Sequence, residues 1–247
     1  MKLATHILVL MAAKKDSNHA WKAWRHVGIG FHIGCGGMIA TCRHVVNSIT
    51  GDECLVACEV TSSRLVLPVH DVRCHEVYDF AIGKVNRPSP VAFPTIYSGN
   101  NLYVGDDVMA FGYFCTGKVA GSDSLNLVGR LFKGHIVRID GTVIPNISLS
   151  TCELSFPSIT GFSGTPLLHE KDCILGMLHG NHESSIQVHQ YQEFVTPTEK
   201  HAESIHRVIE LGLAHTAMDI RKFLLDLGVD NIPPGPSDAQ LNTKSPW

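Results

Sequence analysis

The chain has 247 residues, 44% of them hydrophobic and 17% charged, with a formal net charge of −3. That length and apolar content suit a sizeable core in one double-lobed domain, and the slight acidity excludes the basic footprint that nucleic-acid binding normally requires. No run approaches the roughly 18 apolar residues of a membrane-spanning helix, so neither nucleic acid nor membrane is expected as a partner.

In chain order, the apolar run at 3–13 carries His6, is short and lacks a clear small-x-small cleavage site, so it reads as an opening strand rather than a secretory leader. Val27-Gly28-Ile29-Gly30-Phe31-His32-Ile33-Gly34 reads as strand, turn and strand. Thr41-Cys42-Arg43-His44-Val45-Val46 then places His44 just past the second strand. Residues 54–60 and 65–72 have strand length. Cys54, Cys58, His70 and Cys74 have ligand types and spacing that a structural zinc uses, but Cys54, Val56, Cys58 and Val60 also alternate along one strand face. The strand reading is preferred, and neither metal nor cofactor is expected.

Asp79 stands directly before the alternating apolar run Phe80-Ala81-Ile82-Gly83-Lys84-Val85, at the edge of the core. Asp71 and Glu76 are near in sequence, but neither leads such a strand. Further strands are read at 107–113, 128–139, 173–180 and 209–216, with 121–125 near a crossing between two lobes. Met218, Ile220, Phe223, Leu224 and Leu227 have near-helical spacing and mark a C-terminal helix. Ile232-Pro233-Pro234-Gly235-Pro236 ends regular structure, and 231–247 is expected to be a mobile tail. Short strands divided by Gly, Pro, Asn and Ser clusters favour a barrel or sandwich.

The most informative stretch is Thr160-Gly161-Phe162-Ser163-Gly164-Thr165-Pro166. A serine between glycines suits a hydroxyl presented on a tight turn, with the N–H groups of Gly161 and Ser163 converging as an oxyanion hole requires. Ser150, Ser155 and Ser158 lack that setting. A serine nucleophile needs a base within reach and a third group to orient the base, and the chain offers His44, Asp79 and Ser163 in that order.

Four blocks now resemble the trypsin-like, chymotrypsin-fold serine peptidases, closest to compact bacterial and HtrA-like protease domains. They are residues 28–46 around the histidine, 79–85 around the aspartate, Val104-Gly105-Asp106-Asp107-Val108-Met109-Ala110-Phe111-Gly112-Tyr113, and 161–168 around the serine. The resemblance covers roughly residues 25–227. It implies a mainly β fold of two six-stranded antiparallel barrels with a C-terminal helix. The expected division is an N-terminal strand or extension at 1–24, a first barrel at 25–122 with His44 and Asp79, a second at 123–230 with Ser163 and the helix, and a Pro-rich tail at 231–247.

The same resemblance implies roles. His44 is the general base and then acid, Asp79 orients it, Ser163 is the nucleophile, and Gly161 and Ser163 supply the oxyanion N–H groups. Pro157 and Ser158 fall at the floor of the substrate pocket, and Met177, Leu178, His179 and Gly180 on its wall. No Asp or Glu stands at the floor, which favours a neutral residue before the scissile bond, although Glu153 lies close enough in sequence to change that. Phe162 occupies the place of the acidic residue used in zymogen activation, and Val45 that of a bridging cysteine. Arg43 beside the base would depress its pKa if it pointed inward. The expected function is a serine endopeptidase acting on proteins or peptides through an acyl-enzyme. The alternative is a catalytically silent protease fold used as a binding module.

Eight cysteines in a chain of this size have no dense framework spacing, so free thiols in a reducing compartment, and a cytoplasmic location rather than secretion, are expected. No appended peptide-binding domain is read in the sequence. Restraint of activity is therefore assigned to narrow specificity, a disordered site or a regulatory protein partner.

Overall fold

The computed structural model describes residues 6–17, 20–34, 36–60, 65–87, 94–99, 102–119, 125–144, 147–170, 172–194 and 200–241. Six strands close the first barrel: β1 (Ile7–Lys15), β2 (Trp21–His32), β3 (Met38–Thr41), β4 (Cys54–Glu59), β5 (Val66–Cys74) and β6 (Ala81–Val85). Their spatial order is β1-β2-β3-β6-β5-β4. The short helix α1 (Arg43–Asn47) follows β3.

After the two-residue β7 (Thr95–Ile96) come the strands of the second barrel: β8 (Asp107–Lys118), β9 (Leu125–Ile144), β10 (Ile147–Leu154), β11 (Pro166–Leu168), β12 (Cys173–Phe194) and β13 (Lys200–Thr216). They run β11-β8-β9-β10-β13-β12, and pairing of β11 with β12 closes the ring, while β7 adds in parallel to β12 outside it. The fold is thus two closed six-stranded antiparallel barrels, as the sequence resemblance implies.

β1 explains why the opening run is apolar at successive positions. Leu8 and Leu10 point into the first barrel's core, whereas Ile7, Val9, Met11 and Ala13 join Ile29, Val56 and Tyr113 in a second cluster that reaches β8. A strand buried on both faces loses the in–out alternation of a half-solvated one. The first barrel therefore begins within residues 1–24 rather than at 25: without β1 the ring would leave β2 and β4 as unpaired edges. Likewise β8 belongs to the second barrel rather than to a first unit ending at 122. Residues 121–124 lie outside the described residues; β8 and β9 on either side pair with each other.

The β12–β13 hairpin extends far beyond the 173–180 and 209–216 runs, pairing from Gly176 opposite Thr216 out to Phe194 opposite Lys200. From Asn181 to Tyr191 the outer part is exposed. It buries no apolar face that would have marked it as strand in the sequence.

At its other end β13 turns directly into helix α2 (Ala217–Asp226). Thr216 and Asp219 form a reciprocal capping box, each side chain meeting the other's backbone N–H. The C-terminus closes in a Schellman motif: Val229 N–H donates to Leu224 and Gly228 N–H to Leu225. Ile220, Phe223 and Leu224 are buried in the core. Beyond α2, residues 231–241 are not a free tail. Ser98 N–H donates to the Pro236 carbonyl at 3.1 Å, Ser98 Oγ to that of Gly235 at 2.7 Å, and Tyr97 bonds Asp238 at the start of the short α3 (Asp238–Leu241). Proline content stopped regular structure there without freeing the chain.

Candidate active site

His44 sits in the first turn of α1, where backbone N–H groups have no intrahelical acceptor. The cap residue Cys42 supplies no side-chain acceptor. Asp79 does: its Oδ1 accepts the His44 backbone N–H at 2.8 Å, and its Oδ2 lies 2.6 Å from His44 Nδ1. One carboxylate thereby fixes both the main chain and the ring of the histidine. Burial alone would push the Asp79 carboxyl up, but the side-chain and backbone hydrogen bonds from His44 outweigh it and hold the group below its ordinary range.

The loop carrying Asp79 is itself held. Arg43 turns away from the His44 ring and donates to the carbonyls of His75, at 2.9 Å, and Glu76, at 2.7 Å. His75 N–H donates to the Phe80 carbonyl, and the His75 ring accepts the N–H groups of Val77 and Tyr78 through Nδ1. Asp71, the alternative partner, lies with His70 and Lys84, at 3.4 and 3.5 Å.

The Ser163 turn belongs to the second barrel but is stapled to the first. Ile29 N–H of β2 donates to the Ser163 carbonyl at 2.9 Å, and Gly164 N–H donates to Leu178 of β12 at 2.8 Å. Cys42 Sγ, two residues before His44, reaches the same Leu178 carbonyl at 3.4 Å. The backbone at Gly164 has φ +89°, and a Cβ there would stand 2.1 Å from the Ile29 carbonyl oxygen, so no other residue fits. Among the described residues, the N–H groups of Gly161 and Ser163 donate to no protein acceptor. Ser163 Oγ makes no hydrogen bond to the His44 ring, which remains about half exposed.

A model of the trypsin-like peptidase domain matches residues 28–177, more than half of the chain and all three of these residues. The chain belongs to the trypsin-like peptidase domain family. Crystal structures of the Rv3671c protease in inactive form, one of them a serine-to-alanine mutant from M. tuberculosis H37Rv, are similar to it at TM-score 0.55 and 16% sequence identity. The alignments cover 93% and 92% of this chain and 89% and 90% of those chains. At that identity they speak for a shared fold alone. Comparison with curated proteins gives no match.

In this trypsin-like peptidase domain the residues assigned to a substrate pocket divide. Ser158 is buried, its N–H and carbonyl both held by the Asn181 side chain at 2.6 Å, and Pro157 beside it is half-buried. Met177 and Leu178 are fully buried in the core. His179 stacks on His215, its ring centroid 4.2 Å away, and Gly180 is half-buried. Glu153 is buried, and its Oε1 lies 2.7 Å from His182 Nδ1 and 3.4 Å from Arg138. Cys54 and Cys58 on β4 and His70 and Cys74 on β5 do not converge. Among the described residues only Cys42, His44 and Asp79 bring three potential ligand atoms together, and Cys42 is fully buried with its thiol pushed far up by that burial.

Three side chains near the site carried no signal in the sequence: His26, His215 and Asn181. His26 packs over Gly161, where a Cβ would lie 2.6 Å from its Cε1, and its Nε2 lies 3.0 Å from the Gly28 carbonyl oxygen. His215 and Asn181 owe their places to long-range fold contacts, whereas His26 combines a local bond to Gly28 with packing over Gly161.

Proposed function

We propose that this peptidase domain is a serine endopeptidase in which Ser163 attacks the peptide carbonyl and His44 takes its proton. His44 then returns that proton to the leaving amine, and a water hydrolyses the Ser163 ester with His44 again acting as base. Asp79 holds the ring with Nδ1–H toward itself, leaving Nε2 for the serine, and stabilises the imidazolium that forms. Gly161 and Ser163 N–H groups receive the developing oxyanion. The observation that carries this reading is the two-point hold of Asp79 on His44, at 2.8 and 2.6 Å, together with a serine turn stapled to β2.

A neutral residue before the scissile bond is the proposed preference, supported by the engagement of the Glu153 carboxylate by His182 and Arg138. The second reading, a silent binding module, is favoured by one observation, the missing bond between Ser163 Oγ and His44. Such bonds are commonly long before substrate closes the site. Incubating the chain with a mixture of denatured proteins and sequencing the new N-termini separates the two. Termini that appear with wild type and not with Ser163→Ala support the endopeptidase and define its preference; identical patterns from both overturn it.

A further inference from the structure

The loop that carries Asp79 rests against helix α2, and one ring joins the two. His75 directly follows β5 and is buried. Its two ring nitrogens face different elements. Nδ1 accepts the backbone N–H of Val77 at 3.2 Å and that of Tyr78 at 3.1 Å, while Nε2 lies 3.3 Å from a carboxylate oxygen of Asp226, the last residue of α2. A nitrogen that accepts two N–H groups carries no hydrogen of its own, so the neutral ring keeps its hydrogen on Nε2 and donates it to Asp226.

The main chain around Asp79 is closed by the same residue. His75 N–H donates to the Phe80 carbonyl at 2.8 Å, and the His75 carbonyl accepts from Arg43 at 2.9 Å. Inside that closure Phe80 N–H donates back to the Tyr78 carbonyl at 2.8 Å, an i to i+2 bond centred on Asp79. Packing repeats the link to α2: Phe223 stacks on Tyr78 at 4.6 Å and lies 5.1 Å from His75 and 5.4 Å from Phe80. The residues on both sides of Asp79 therefore lean on one helix side chain.

We infer that His75 is a positioning residue for Asp79: tied to α2 through Nε2 and accepting the Val77 and Tyr78 N–H groups through Nδ1, it sets the turn from which the carboxylate meets His44 at both points. This inference rests on the reading of His44, Asp79 and Ser163 given above. Its physical content is the cost of an unmade bond. Without an acceptor at the place of Nδ1, the Val77 and Tyr78 N–H groups lose their partner in a part-buried loop, and the turn must reorient to find another. A shift of about 1 Å at a positioned group is enough to cost roughly 100-fold in rate, and Asp79 has two short contacts to lose.

The test separates the acceptor from the ring. His75→Phe keeps a ring beside Tyr78 and Phe223 but accepts nothing. His75→Asn gives up the ring and the Asp226 contact, yet its Oδ1 is bonded to Cγ as Nδ1 is, and asparagine readily accepts from N–H groups a little further along its own chain. Two readouts are taken on the full chain, with the melting temperature of each variant as a measure of fold. One is the low-field proton NMR resonance of the hydrogen between His44 and Asp79. The other is the second-order rate of labelling by a fluorophosphonate probe. His75→Phe is expected to lose the resonance and to label roughly 100-fold more slowly, as for a displaced catalytic group. His75→Asn is expected to melt lower than wild type but to keep the resonance and most of the rate, so that site geometry and stability come apart. The inference is overturned if His75→Phe keeps the wild-type resonance and rate, or if folded His75→Asn loses both. Should one variant fail to fold, the other is judged by the same outcomes. A wild type that shows the resonance but is not labelled would instead sink the nucleophile assignment, and His75 would then be judged on the resonance alone. A folded wild type without the resonance would contradict the hold of Asp79 on His44, and this inference with it.

Discussion

Asp79 illustrates how much one carboxylate does at this site. It satisfies an orphan N–H of α1, orients the His44 ring and has its own loop tied by Arg43 and His75. Asp79→Asn should therefore lower turnover by about ten-thousandfold, because an amide facing Nδ1 favours the wrong imidazole tautomer. Asp71→Asn should leave it near normal, since Asp71 pairs with His70 and Lys84; steady-state rates of the two variants decide, and the reverse ranking would reassign the acid. Gly164 is constrained as tightly by space as Asp79 is by chemistry. Gly164→Ala combines a positive φ with a clash on the Ile29 carbonyl and should cost at least ~2 kcal/mol in urea unfolding, whereas a loss under 0.5 kcal/mol, the usual scale of a neutral surface change, would mean that the turn relaxes freely.

At the scale of elements, the sequence was most legible where local chemistry and tertiary role agree. The apolar spacing of Ile220, Phe223 and Leu224 marks α2 because the same face that repeats at helical period is the one buried. The blocks around His44, Asp79 and Ser163 stood out for a different reason: each is a short pattern of residue types, although the contacts that hold them run from Arg43 to His75 and Glu76, from His44 to Asp79 and from Ser163 to Ile29. The division into units was less legible, because β1 is apolar on both faces and β8 lies next to first-barrel strands in sequence while pairing with β9 and β11. The outer β12–β13 ribbon gave no strand signal because neither of its faces is covered, and the prolines at 233, 234 and 236 concealed a segment bonded to Ser98. His215 was invisible, since its ring partners come from β12 and α2. The helix capping box carries its own prediction: Thr216→Ala should lower stability by ~1 kcal/mol, the usual worth of an N-cap. Unchanged denaturant midpoints would show that core packing alone sets the start of α2.

Across the whole molecule, buried histidines make stability depend on pH. Burial, with the neighbouring His6 and Arg87 charges, holds His32 down to about 4, and burial with His179 holds His215 down to about 3. Burial lowers His26 and His179 as well. Each is neutral when folded and protonates near 6.5 when unfolded, so its contribution is complete above about 6.5 and drains away as pH falls toward the folded value, at up to ~1.4 kcal/mol per pH unit for each group. The depressed Asp79 carboxyl adds its loss only below the ordinary carboxylate range. Melting temperature should accordingly fall between about pH 7 and 5 with net proton uptake on unfolding, and a flat curve over that interval would contradict neutral burial. The central proposal is that the two barrels bring His44, Asp79 and Ser163 together as a working nucleophile. Fluorophosphonate labelling of the full chain, with the modified residue located by peptide mass spectrometry, tests it most directly. The account predicts a single adduct on Ser163 that disappears in Ser163→Ala and falls by several orders of magnitude in His44→Ala; an unlabelled Ser163 in folded wild-type protein, or labelling indifferent to His44, would contradict it.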